Sequence, residues 1–214
     1  MQALEHARYL ALREGAQVLE ADGTGDKVLR LGDGSMLKLF RRKRLITSAA
    51  WYPYAKRFAD NCRTLAERAI PCPRVREVYR IADIARDAVH YDPLPGKTLR
   101  QLLDDPDSGD NLRRQLGIFI AQLHEKGIYF RSAHLGNVVL TPEGELGLID
   151  IADMRTYRRP LRKIQRLRNF KHMLRYKEDR AWLLGNGSDV FERAYLAAQA
   201  ICKPADLTAA LAKT

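Results

Sequence analysis

Leu123-His124-Glu125-Lys126-Gly127-Ile128 is followed by Phe130-Arg131-Ser132-Ala133-His134-Leu135-Gly136-Asn137, by Val138-Val139-Leu140, and, after Pro142-Glu143-Gly144, by Leu146-Gly147-Leu148-Ile149-Asp150. The texture changes three times in this stretch. Leu112, Leu116, Phe119, Ile120 and Leu123 recur on one face, which predicts a helix over residues 111–127. A polar loop follows. Two short apolar runs around a Pro-Glu-Gly turn then predict a hairpin, and Asp150 stands at its end.

Upstream, short runs alternate with glycine. Gln17-Val18-Leu19-Glu20, Val28-Leu29-Arg30-Leu31 and Met36-Leu37-Lys38-Leu39-Phe40 are separated by Asp22-Gly23-Thr24-Gly25-Asp26 and Gly32-Asp33-Gly34, which predicts three antiparallel strands joined by tight turns. Residues 3–14 carry Leu4, Ala7, Leu10 and Ala11 at helical spacing and predict a short helix capping this sheet. Trp51, Tyr54, Phe58, Cys62 and Leu65 predict a helix over 48–68 with Ser48 as its N-cap, stopped by Ile70-Pro71-Cys72-Pro73. Strands are expected at 74–82 and 86–91, and Pro93-Leu94-Pro95-Gly96 marks a boundary. Beyond it, helices are expected at 99–104, 161–176, 179–184 and 188–202. The expected fold is α+β in two lobes: an antiparallel sheet with one helix over 1–92, and a small, mainly helical lobe over 93–214.

Composition narrows the function classes. The chain has 214 residues, 46% hydrophobic and 29% charged, enough for one core or two small lobes. Its apolar runs are a few residues long against the roughly 20 needed to span a bilayer. Met1–His6 lacks a basic segment leading into an apolar one, so no secretory signal is expected, and the chain is expected to be cytoplasmic. Cys62, Cys72 and Cys202 have no C-x-x-C spacing and read as inert thiols. The net charge of +11 favours polyanions as partners. Residues 155–177 hold ten Lys or Arg and no acid, interleaved with Tyr157, Phe170 and Tyr176, and Arg41-Arg42-Lys43-Arg44 adds a second basic block. Such a surface suits a phosphate-rich lipid sugar, an anionic membrane or an RNA backbone, with binding that weakens as salt rises. Nucleic acid is disfavoured, because no stacking platform or recognisable module accompanies the charge.

The order of elements resembles the protein-kinase-like fold. That resemblance implies that Lys38 pairs with the α- and β-phosphates of ATP, although a lysine on an edge strand facing water gives the same pattern. Asn137 and Asp150, thirteen residues apart, resemble the metal-binding pair of kinases; carboxylate and amide oxygens suit Mg2+. The alternative is an Asn in a turn and an Asp at a strand end. Residues 123–150, with Leu-Pro-Gly-Lys-Thr-Leu at 94–99 and Ala-Ile-Pro-Cys-Pro at 69–73, are similar to the bacterial lipopolysaccharide core kinases, the Kdo and heptose kinases, and more loosely to aminoglycoside phosphotransferases. The resemblance implies ATP and Mg2+ as cofactors. It also implies an inner-core sugar as acceptor, phosphorylated at the cytoplasmic face of the inner membrane.

The pattern departs from kinases at one position of consequence. Where H-R-D-x-x-x-x-N places its aspartate, this chain has Ser132, a poor proton acceptor. His134 matches the second histidine of the aminoglycoside-type loop and is a candidate base or a brace. Asp60 is the nearest acid to the position expected to pair with Lys38. Gly23 and Gly25 are either a phosphate cover or a plain turn. The sequence therefore supports two readings: a lipopolysaccharide-kinase-like phosphotransferase, or a pseudokinase adaptor in envelope biogenesis.

Overall fold

A computed structural model describes residues 1–42, 52–103, 109–184 and 189–212. Ser48, with Lys43 and Arg44 of the second basic block, lies outside the described residues, as do Asp104 and Ser188 at two expected helix ends. The chain forms two compact units: Met1–Glu67 with Cys72–Leu94, and Arg68–Pro71 with Pro95–Thr214. An expected boundary at 92/93 is thus replaced by one at 94/95, with Arg68–Pro71 counted in the second unit.

The first unit is a six-stranded sheet in the order β1-β5-β6-β4-β3-β2. Its strands are β1 (Gln2–Ala3), β2 (Gln17–Asp22), β3 (Gly25–Arg30), β4 (Met36–Arg41), β5 (Arg74–Ile81) and β6 (Arg86–Asp92). The sheet is mixed rather than antiparallel, since β1 runs parallel to β5, pairing Gln2 with Tyr79 and Ala3 with Arg80. A strand of two residues has no periodicity to read. It also shortens the first helix to α1 (His6–Arg13), because Gln2 and Ala3 are spent on the sheet and the Leu4 N–H bonds the Arg80 carbonyl at 2.9 Å.

Alternation along β4 sorts its side chains between two faces. Leu37 and Leu39 are buried in a cluster with Leu29, Leu31, Tyr79, Ile81 and Ala88, closed by Leu4, just past β1, and by Tyr9 of α1. Lys38 and Phe40 point to the opposite face. There α2 (Tyr54–Glu67) packs on β4, β5 and β6, burying Ala55, Phe58, Cys62 and Leu65. The Phe40 ring lies 6.4 Å from those of Tyr54 and Phe58, and Phe58 lies 5.2 Å from Tyr91. Phe58 and Leu65, almost fully buried, each contribute roughly 1.5–3 kcal/mol of hydrophobic stabilisation. With α1, the described residues of this unit carry two helices, where one was expected.

The second unit is mainly helical, built from α3 (Asp110–Glu125), α4 (Lys163–Met173), α5 (Lys177–Leu184), α6 (Val190–Ala197) and α7 (Pro204–Ala212). Helix α3 ends where Gly127 turns left-handed, at φ +69°, and returns its N–H to the His124 carbonyl. The expected 188–202 helix stops at Ala197, and Pro204 opens a separate one. Leu99–Leu102 is a single 3-10 turn with reciprocal Thr98 and Gln101 caps. Gly117 is where α3 meets α6: a Cβ there would stand 2.5 Å from the Phe191 carbonyl oxygen.

The predicted hairpin is β9 (Val138–Leu140) with β10 (Leu146–Leu148), and a short strand β7 (Lys97–Thr98) extends it beside β9. Outside it, β8 (Ile128–Tyr129) pairs with β11 (Arg155–Thr156). The architecture as a whole is α+β. No helix among the described residues is long and apolar enough to cross a membrane.

Candidate functional site

Two ladders frame the polar loop. Val138 pairs with Leu148 on one side and Tyr129 with Arg155 on the other, so the segments 130–137 and 149–154 leave and re-enter paired backbone together. The Ile149 N–H continues the inner ladder to the Asn137 carbonyl at 3.0 Å. Segments far apart in sequence are thereby held side by side.

Within this frame, Ser132, His134, Asn137 and Asp150 share one neighbourhood. The Asn137 amide nitrogen donates to the Ser132 carbonyl at 3.0 Å and lies 3.3 Å from His134 Nε2. With its nitrogen committed to the loop, Asn137 presents its carbonyl oxygen on the other side, the atom a hard cation takes. Asp150 sits at φ 52°, ψ 45°, in the left-handed region. A non-glycine residue there costs on the order of 1–2 kcal/mol, and such strain concentrates at functional sites.

His134 is packed into the loop on several sides. Its Nε2 meets the Asn137 amide, its Nδ1 is buried, and its ring stands edge-on to Tyr176 at 5.0 Å. Burial, with the Arg100 guanidinium nearby, holds the imidazole below its ordinary pKa. The loop is also gripped from α5, where the fully buried Asp179 accepts from the Leu135 N–H at 2.9 Å and from Arg100 Nε and Nη2 at 3.0 and 2.7 Å. Arg100 in turn lies 4.4 Å from the Tyr176 ring centroid.

The start of the loop is anchored by a buried polar chain. Asn169 Nδ2 donates to the Phe130 carbonyl at 2.6 Å, Asn169 Oδ1 lies 3.3 Å from His124 Nε2, and the Tyr195 hydroxyl lies 2.9 Å from His124 Nδ1. Burial first, and the charge of Arg166 second, push the His124 pKa down to about 3. In the unfolded chain this group takes a proton near pH 6.5, while in the folded chain it resists until far lower. Stability is therefore complete above the unfolded value and declines as pH falls. We expect a loss of about 1.4 kcal/mol per pH unit from this residue between roughly pH 6 and 4. Urea melts of wild type and His124→Gln across that range check it: the variant's pH slope should be shallower by that amount.

The residue that sequence reasoning passed over is Asp153. Its Oδ2 accepts from Ser132 Oγ–H at 2.8 Å, and its Oδ1 is buried without a hydrogen-bond partner. Only the pairing of β8 with β11 brings it there. Asp179 and Arg100 were equally silent in the sequence.

The remaining predicted residues belong to the first unit. Lys38 is on β4, an interior strand flanked by β3 and β6, opposite Val28 and Val89 and on the face that α2 covers, which removes the edge-strand reading. Asp60 takes Tyr52 Oη–H at 2.8 Å and Arg63 Nη2 at 2.6 Å. It is Asn61, 8% exposed, that lies among the buried residues of α2. Gly23 and Gly25 flank a turn held from both sides: the Thr24 N–H and hydroxyl donate to Asp22 Oδ1, and Arg86 donates to the Thr24 carbonyl at 2.6 Å. The turn's central N–H, which a phosphate cover would offer, is already engaged.

The basic segment divides by role. Arg166 is fully buried, ion-paired with Glu125 at 2.9 Å, and structural. The other nine Lys and Arg of 155–177 are exposed. Arg158, Arg159 and Arg162 line an open depression of about 580 Å³ with Tyr157 and the 68% exposed Ile164. Among the described residues, no group of three or more His, Cys, Asp or Glu forms a metal cage, and the three cysteines are free thiols.

No protein-family model matches this chain, and no curated protein matches it.

Proposed function

We propose that the chain is a kinase-like, ATP-dependent phosphotransferase of the lipopolysaccharide inner-core type, acting at the cytoplasmic face of the membrane. One observation carries the reading. Asn137, its amide nitrogen locked into the loop, and Asp150, left-handed two residues beyond β10, are two hard oxygen donors at the open end of one hairpin. Mg2+ is held by one or two protein oxygens together with substrate phosphates, so this pair suits it and a full protein cage is not required. Asn137 and Asp150 are assigned to that ion, which would neutralise charge on the phosphates. Lys38, on an interior strand, is assigned to the nucleotide phosphates. The exposed arginines of 155–177 are assigned to an anionic lipid-linked sugar or the membrane surface around it, and their charge supports that acceptor class.

Ser132 favours a second reading, a pseudokinase adaptor in envelope biogenesis that binds partners through the same basic face. Thermal melting with Mg-ATP separates the two. A ligand at about 100 times its Kd stabilises the native state by about 2.7 kcal/mol, which for a chain of this size is several degrees. We expect such a rise at millimolar Mg-ATP, absent for ATP in EDTA. No rise under either condition selects the adaptor.

A further inference from the structure

We infer that Asp153 is the proton acceptor that Ser132 alone cannot be, reached through the serine hydroxyl. The inference rests on the phosphotransferase reading and deepens it at the loop position where a carboxylate is missing.

Three features of the loop support it. Ser132 Oγ–H is committed to Asp153 Oδ2 at 2.8 Å, which leaves the lone pairs of Oγ as the face the serine can offer to another hydroxyl. Asp153 Oδ1 is buried with no hydrogen-bond partner among the described residues. A buried, unsatisfied carboxylate oxygen costs about 1–3 kcal/mol or more, so this one stands out in the loop. The position is also fixed by backbone: β8 ends just before the loop and β11 begins just after Asp153, so paired strands bring the two side chains within reach.

The step balances. An acceptor hydroxyl oxygen forms its bond to the γ-phosphorus as the bond from that phosphorus to the bridging oxygen breaks, and the electron pair departs with ADP. The hydroxyl proton passes to Ser132 Oγ while the serine's own proton passes to Asp153 Oδ2. Asp153 is half-buried, so the proton can return to solvent afterwards. Ser132 is the group that touches the acceptor. Asp153 acts through it and is a positioning residue.

The test is hydrolysis of Mg-ATP, with water as the probe acceptor, in wild type, D153N, S132A, S132D and S132D/D153N, together with Mg-ATP thermal shifts. Asparagine can still accept the serine hydrogen bond but cannot take its proton. We expect D153N and S132A each to lose about 10²-fold in kcat, the lower end of what a general base supplies, with KM for ATP and the thermal shift unchanged. S132D places a carboxylate directly in the loop and should make turnover insensitive to residue 153. Should D153N fail to fold, D153S carries the same comparison, since its hydroxyl can accept a hydrogen bond but cannot take the proton. If wild type hydrolyses ATP while D153N or S132A keeps its rate within about twofold, the relay is overturned and the phosphotransferase reading stands. If wild type neither shifts with Mg-ATP nor hydrolyses it, both fall.

Discussion

Asp179→Ala is expected to lower unfolding stability by about 3 kcal/mol, the largest single loss available in the loop region. The carboxylate is fully buried and accepts three hydrogen bonds, two from Arg100 and one from the Leu135 N–H. Alanine strands a guanidinium charge and a buried backbone donor at once. Removing one partner of a buried pair costs about 3–5 kcal/mol, and the 35% exposure of the Arg100 side chain, which lets water relieve part of its charge, places the expectation at the lower end. For a chain of this length that corresponds to a fall in Tm of about 6–12 °C. Calorimetry or urea unfolding measures it. A loss under about 1 kcal/mol would mean that the pair does not hold the loop. Asp179→Asn should fall between the two, keeping an acceptor for Leu135 while losing the charge opposite Arg100.

Asp150→Asn should do the reverse, leaving stability almost intact and removing at least about 10³-fold of ATP turnover, the scale on which preorganised charge acts in phosphoryl transfer. The choice of asparagine follows from the backbone. Asp150 occupies the left-handed region, which Asn tolerates nearly as well as Asp, whereas alanine would add strain of roughly 1 kcal/mol and confuse a folding defect with a chemical one. The amide keeps the shape and loses the negative charge that holds a divalent cation. Single-turnover ATP hydrolysis beside a thermal melt reads both quantities. Turnover within tenfold of wild type would remove Asp150 from the metal-binding role.

What could be read beforehand, and what could not, follows from length and periodicity. Met36–Phe40 alternates over enough residues to announce a strand, and its interior place among β3, β4 and β6 settles which face Lys38 occupies. The face of α3 was equally plain, since its apolar residues repeat over more than three turns. Strands β1, β7, β8 and β11 have two residues each, too short for a period of two to register. Consecutive helix residues differ by about 100°, so Asp60 meets Tyr52 and Arg63 while Asn61 turns inward with Phe58 and Cys62. Ser132, His134, Asn137 and Asp150 were nameable because they lie close together in sequence. Asp153, only three residues past Asp150, was not, because it falls on no position of the kinase-like motif, and Asp179 was not, because helix packing alone brings it to the loop.

The strap from Met154 to Arg162 is pinned by the β8–β11 pairing, by the Tyr157 N–H on the Gly127 carbonyl at 2.8 Å and by the Leu161 N–H on the His124 carbonyl at 2.9 Å. It joins Asp153 at one end to the arginine-lined depression at the other. A segment so short and so thoroughly stitched to the end of α3 has little slack along its length. The proposed anion site at Arg158, Arg159 and Arg162 and the Asp153 carboxylate therefore share one clamped piece of backbone.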